Sequence, residues 1–349
     1  MSEFFFSYSL FIAKVITGLI ALVFAIAIIG SSKKKDDSSK LSIINLNSKY
    51  KELKGQVQEA VMDKKDYKEL VKQTSKTEKK DRKSKKITQA KPKLFVLEFD
   101  GDIKASEVST MREEITAILS VAEPQDEVLL KLDNSGGIVH EHGLAASQLQ
   151  RIKDAKLNFI VSVDKVAASG GYMMACVADK IIAAPFAILG SIGVLAQLPN
   201  FNRLLDKAGI DFEQHTAGEY KRTVTMFGKN SDKERDKLKL DLQETHTLFR
   251  DFVVDNRPNL DIEKIATGEH WYGKQALELN LVDTLQTSDE FLIEALEQFD
   301  MYAIKMEEKK GLQDRLFGGL FASLDKTSSR LTKHLSDRIA DAQQSSRYR

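Results

Sequence analysis

Apolar and polar positions divide the chain into stretches of different period. Leu10–Ile29 is apolar apart from Lys14, and as a helix it would cover the ~30 Å hydrocarbon core of a bilayer. The run stops at Gly30-Ser31-Ser32 before Lys33-Lys34-Lys35. A secretory leader has a shorter apolar core and a small-residue cleavage site, so this stretch reads as a retained anchor. Residues 31–92 are rich in Lys, Ser, Asp and Glu and read as a charged linker. Within them Tyr50, Leu53, Val57 and Val61 are spaced for an amphipathic helix or short coiled coil over Ser48–Val71, and Lys79–Lys86 reads as solvated.

Order is expected from Lys93. Leu94–Phe99 and Glu127–Leu132 have the continuous apolar character of strands buried on both faces, and Ser106–Val121 and Glu141–Ile152 have helical spacing. Strand Leu157–Val163 then runs into a corner of small residues ending in Ala168-Ser169-Gly170-Gly171, followed by an apolar helix to Val177. Strands alternating with helices predict an α/β fold with a parallel sheet and crossovers. Ile181–Leu198 is apolar enough to pass for a second span, but Pro185, Gly190, Ser191 and Gly193 interrupt it, so it reads as buried strand and loop. Beyond it the pattern predicts a helix over Phe201–Ala208 and an edge-like strand over Phe212–Thr216. A long charged helix follows over Lys233–Asp255, with Leu238, Leu242, Leu248, Phe249 and Phe252 on one face. Short helices are expected over Ile262–Thr267 and Gly273–Leu279, with Asn280 suited to a left-handed helix end. Residues 301–349 form a tail in which Leu312, Leu316, Phe317, Leu320, Phe321 and Leu324 make an amphipathic pattern.

Composition narrows the chemistry. A formal charge of +1 over 349 residues gives no global case for nucleic acid as a partner. One cysteine, Cys176, excludes an intrachain disulfide framework, and its place in the apolar helix reads as packing. The six histidines show no metal-binding spacing; His140 and His142 alternate around one residue, which reads as a polar loop or helix start.

A serine at a strand-to-helix corner faces unpaired N–H groups and the positive end of the helix dipole, a setting that suits a nucleophile whose product is an oxyanion. Ser169 is that candidate, with Gly170 and Gly171 leaving room for an approaching carbonyl. Together with Asp133-Asn134-Ser135-Gly136-Gly137, Gly190-Ser191-Ile192-Gly193-Val194, Gly218-Glu219-Tyr220-Lys221-Arg222-Thr223 and the segment from Gly268 through Leu281-Val282-Asp283, the corner resembles the bacterial signal peptide peptidase A family of serine proteases, most closely the SohB proteases. The resemblance covers roughly Lys93 to Phe299. It implies a ClpP/crotonase-like fold of stacked ββα units behind the N-terminal transmembrane helix, with the protease domain at 93–300. It further implies a Ser-Lys dyad in which Ser169 is the nucleophile and Lys221 the general base, with no cofactor and no metal. Gly137 and Gly170 are the expected backbone oxyanion donors. In this chain serine, Ser135, stands where the family more often has proline. A lysine serves as base at neutral pH when burial among apolar groups disfavours its ammonium form. Lys165, four positions before the serine, is the rival base.

The expected function is a membrane-anchored serine endopeptidase acting on signal-peptide-like or misfolded segments. Its partners are peptide substrates, the membrane through Leu10–Ile29, and further copies of itself in a ring whose sites are shared between protomers. A crotonase-type acyl-CoA enzyme and a catalytically inactive membrane scaffold are the alternatives. Lys33-Lys34-Lys35 would hold its side of the anchor in the cytoplasm, whereas the resemblance implies an inner-membrane protein with its catalytic domain in the periplasm.

Overall fold

The computed structural model describes residues 6–12, 14–18, 40–84 and 91–307. Most of the predicted anchor and the tail beyond Glu307 therefore lie outside the described residues. Of Leu10–Ile29 only 10–12 and 14–18 are described, as helix, and no helix among the described residues is long and apolar enough to cross a membrane. Leu41–Met306 forms one compact unit.

Ten strands build one sheet: β1 (Lys40–Asn45), β2 (Lys93–Gly101), β3 (Glu127–Asn134), β4 (Asn158–Val163), β5 (Val166–Ala168), β6 (Lys180–Ala183), β7 (Ile188–Gly190), β8 (His270–Tyr272), β9 (Thr284–Leu285) and β10 (Asp300–Glu307). The main path runs β1-β10-β2-β3-β4-β6-β9, and β5, β7 and β8 form a branch that leaves it at β3. From β10 to β9 the main path is parallel. The fold is thus mixed α/β with a large sheet, and the predicted strands at 94–99, 127–132 and 157–163 are in place.

Burial on both faces explains why those strands are nearly all apolar. Phe95, Leu97 and Phe99 of β2 join one core with Leu130, Val161, Met111, Ile115 and Leu149, while Leu94 and Val96 point the other way, toward Leu129, Ile160, Leu292 and Met301. Helices α1 (Leu46–Val61) and α2 (Lys64–Ser84) lie between β1 and β2 in the chain. Between and after its strands come α3 (Val108–Leu119), α4 (Val139–Asp154), α5 (Gly170–Ala175), α6 (Asn202–Lys207), α7 (Asp232–Asn256), α8 (Ile262–Ile265), α9 (Gly273–Glu278) and α10 (Ser288–Ala295).

Several expectations are corrected. The polar tract read as linker carries the edge strand β1, and helix continues to Ser84 through most of the basic run, because Lys, Glu and Arg are strong helix formers. Phe212–Thr216 is not a strand: no neighbour offers it a ladder, and Phe212 instead packs its ring on Phe227 with centroids 5.8 Å apart. Leu248 is exposed on α7, whose buried contacts are Phe249 and Val253. Ile181–Leu198 holds β6, β7 and an irregular stretch, as expected, and Asn280 has the expected positive φ of 60°.

Candidate active site

The branch of the sheet creates the serine corner. The first part of β3 pairs with β4, but its last residue, Asn134, pairs with Ala167 of β5, so the chain leaves β4, bends at Asp164-Lys165 and forms a short strand on the branch of the sheet. Asp164 holds the bend by accepting from the N–H and Oγ of Ser288 at the start of α10. β5 ends at Ala168, and Ser169 turns the backbone into α5 with φ 52° and ψ −119°. Such a conformation is strained for any residue with a side chain and persists only where the surroundings over-determine it. Here they do. Ser169 N–H donates to Gly190 O (2.8 Å) on β7, and Ser169 O accepts from Met173 N–H (3.0 Å). All six residues of α5 are buried, including Tyr172, whose hydroxyl donates to Leu281 O at 3.0 Å.

Ser169 itself is half-buried and opens into a cleft of about 900 Å³, lined also by Ser135, Gly136, Gly137, Ser191 and His246. The turn after β3 forms the facing wall. Gly136 adopts φ 86°, and a Cβ there would lie 2.7 Å from Ala168 O, Gly170 N and Ser169 Cβ, so the turn and the corner touch through a position that only glycine fits. Gly136 N–H is already used, donating to Asn134 Oδ1 at 2.6 Å. The N–H groups of Gly137 and Gly170 have no acceptor among the described residues, and Gly137 lines the cleft. Two unpaired donors on facing segments are what an oxyanion needs.

Lys221 is placed elsewhere. Residues 210–231 contain no helix or strand, and Lys221 is exposed there, lining a separate cavity of about 770 Å³ with Leu198, His215, Arg222 and Phe227. Lys221 N–H donates to Gly218 O at 3.2 Å, and the preceding residues are tied to the start of α7: Lys233 pairs with Glu219 at 2.6 Å, and Lys233 and Lys237 sit over the Tyr220 ring. Within one chain, then, Ser169, Gly137 and Gly170 come together and Lys221 does not join them. Lys165, the rival base, stands at the solvent end of the bend and donates to Asp133 at 2.7 Å; that hydrogen bond raises its pKa and keeps it an ammonium ion. Cys176 is fully buried, and desolvation pushes its thiol up to about 12, so it is a packing residue.

Two histidines carry no site role in the sequence reading: His246, which it passes over, and His142, read there as part of a polar loop or helix start. His246, on α7, lines the serine cleft, with Nε2 3.3 Å from Ile192 O. His142 is completely buried beneath the corner, whereas His140 is exposed, so the alternating pair does not converge on one point. No group of side chains able to hold a metal occurs among the described residues.

Residues 3–149 match the family model described as peptidase family S49 N-terminal, and residues 151–301 match that of peptidase family S49. A probable protease SohB of Buchnera aphidicola subsp. Acyrthosiphon pisum is 47% identical over 323 residues, covering 92% of this chain and 95% of its own. Another from Haemophilus influenzae is 47% identical over 318 residues, 87% and 90% of the two chains. Among solved structures, a membrane-bound stomatin-specific protease aligns with a TM-score of 0.39 and 14% identity over 59% of this chain and 85% of its own.

Proposed function

The chain belongs to peptidase family S49, and from that premise we propose that it is a membrane-anchored serine endopeptidase in which Ser169 is the nucleophile and Lys221 the general base. The observation that carries this reading is the conformation of Ser169, a strained residue between a strand and a helix that faces a cleft with two unpaired N–H groups beside it. In the reaction, Ser169 Oγ attacks the scissile carbonyl while Lys221 Nζ takes its proton. The N–H groups of Gly137 and Gly170 stabilise the oxyanion, and Lys221 returns the proton to the leaving amine. Water then attacks the acyl-serine by the same steps in reverse order of roles. The branched, largely parallel sheet is the arrangement expected of a ClpP/crotonase-like fold.

Lys221 serves this site from a neighbouring protomer of a ring. Two features support that arrangement: the amine is exposed and outside the serine cleft in the single chain, and its segment presents an apolar face (Phe201, Leu204, Ile210, Phe212 and Phe227) to solvent. Docked against another copy, that segment would lose its water, and a lysine buried in this way becomes a base at neutral pH. Leu10–Ile29 anchors the chain in the inner membrane with the catalytic domain on the periplasmic side, and signal-peptide-like or misfolded segments are the substrates.

A serine-directed fluorophosphonate provides the test. Covalent labelling of the assembled protein at Ser169, with labelling and peptide cleavage both lost in Ser169→Ala while the thermal midpoint is unchanged, is expected. Cleavage at the wild-type rate by Ser169→Ala would overturn the assignment.

A further inference from the structure

A buried imidazole links the two walls of the proposed oxyanion site. His142, on the first turn of α4, has no solvent exposure. Its Nδ1 lies 2.9 Å from Ile138 O and its Nε2 3.2 Å from Asn134 Oδ1. Asn134 is the last residue of β3 and just as buried. Its Oδ1 also accepts the Gly136 N–H at 2.6 Å, which fixes the oxygen rather than the amide nitrogen toward that turn and toward the histidine. Two oxygens therefore face the two ring nitrogens. A proton on Nε2 completes a chain from His142 through Asn134 to Gly136. The opposite wall touches the same ring: a Cβ on Gly170 would overlap the Cβ, Cγ and Cδ2 atoms of His142, and one on Gly171 would overlap the Asn134 carbonyl oxygen.

We propose that His142 is a positioning residue for hydrolysis, donating Nε2–H to Asn134 Oδ1 and thereby holding the Gly136-Gly137 turn against the Ser169-Gly170 corner so that both N–H groups aim at one oxygen. A hydrogen bond inside a water-free interior is stronger than one at the surface, and an unpaired polar atom there is correspondingly costly, so the chain of three groups defines one position of the turn. The inference rests on Ser169 as nucleophile and on the glycine donors.

Three measurements test it. Removing an oxyanion donor outright costs about 10²–10³ in kcat, so loosening one should cost about tenfold or more. His142→Leu fills the space without a donor; kcat and the rate of fluorophosphonate labelling at Ser169 are expected to fall together by that factor, with KM changed by less than about twofold, because substrate binding does not use the oxyanion contact. His142→Gln keeps an N–H that reaches Asn134 and is expected to recover most of the loss. A folded His142→Leu protein with wild-type kcat, or a loss that His142→Gln shares in full, would overturn the proposal. Should His142→Leu fail to fold, the nitrogen spectrum of the wild-type protein labelled with ¹⁵N-histidine decides: Nε2 carries a proton if the proposal holds and is bare if it does not. That spectrum is independent of the nucleophile assignment, which stands or falls on labelling of the wild type.

Discussion

Ser169 stands between a strand and a helix buried on every side, whereas Lys221 stands in an exposed stretch without helix or strand. The first region is determined by the chain alone. β3, β5 and β7 clamp the backbone, and Gly136 lets the facing turn approach to contact. In the second region the order comes from surface pairs such as Glu219–Lys233 and from ring contacts among Phe201, Phe212 and Phe227. Surface ion pairs contribute ~0–1 kcal/mol each, and Asn200, Asn202 and Asn230 add hydrogen bonds to loop carbonyls. Under the proposed function, one chain pre-organises the nucleophile and the oxyanion site, and assembly would supply the base.

The largest effect expected from breaking that comparison is at Lys221. Lys221→Ala and Lys221→Arg should both lower peptide turnover by about 10³-fold or more, since arginine stays protonated and cannot act as base. The thermal midpoint of the unassembled chain should stay where it is, because the side chain is exposed there. A Lys221→Arg protein with more than a tenth of wild-type turnover would place the base elsewhere.

Two glycines with positive φ compare the regions directly. At Gly136 an added Cβ meets backbone atoms at 2.7 Å, so Gly136→Ala should destabilise by about 3 kcal/mol and abolish labelling of Ser169. At Gly218, φ 99°, the nearest atom is Lys221 Cβ at 3.9 Å, and Gly218→Ala should cost only the backbone strain of roughly 1–2 kcal/mol. Thermal melts of the two variants, read beside the wild type, check the order; equal losses would remove the contrast between a packed corner and an open loop.

The smallest effect concerns acid. Arg257 Nη1 and Nη2 hold the Asp283 carboxylate at 2.8 Å, and Asp283 also accepts from Ile181 N–H. Burial pushes the Asp283 pKa up, but the guanidinium and the N–H more than offset it, so the carboxyl titrates below its ordinary range. A group with a lowered folded pKa contributes stability above its unfolded pKa near 3.9 and loses it as pH falls through the folded value. Asp283→Asn should therefore lower stability by about 1 kcal/mol at neutral pH, allowing for solvent screening, and flatten the fall in urea midpoint below pH 4.

The corner and its glycine turn were legible in the sequence because both are written in local terms, a run of small residues after an apolar strand and a Gly-Gly after another. β5 was not, since Val166-Ala167-Ala168 is too short to show a period and becomes a strand only through β3 and β7. Phe212–Thr216 reads as an edge-like strand, yet a strand exists through its ladder partner, and here the Phe212 ring packs on Phe227 instead. His142 reads in sequence as part of a polar loop or helix start, because nothing local marks its ring as buried. The signal was indirect: Gly170 and Gly171 leave the space that its ring and Asn134 fill. The serine, the lysine and the glycine donors were assigned by resemblance, and their separation into a built corner and an exposed loop became visible only in three dimensions.

The claim that assembly supplies the base is tested most directly by mixing two inactive proteins. Ser169→Ala and Lys221→Ala subunits, carrying different tags, are refolded or expressed together, and co-purification of both tags establishes that subunits have exchanged. If the lysine of one protomer serves the serine of the next, random mixing places an intact serine beside an intact lysine in about a quarter of the sites, and activity reappears at about that fraction of wild type. Exchange proven by the tags with no recovery of activity would contradict the account, because every subunit lacks one member of a dyad that would then lie within a single chain.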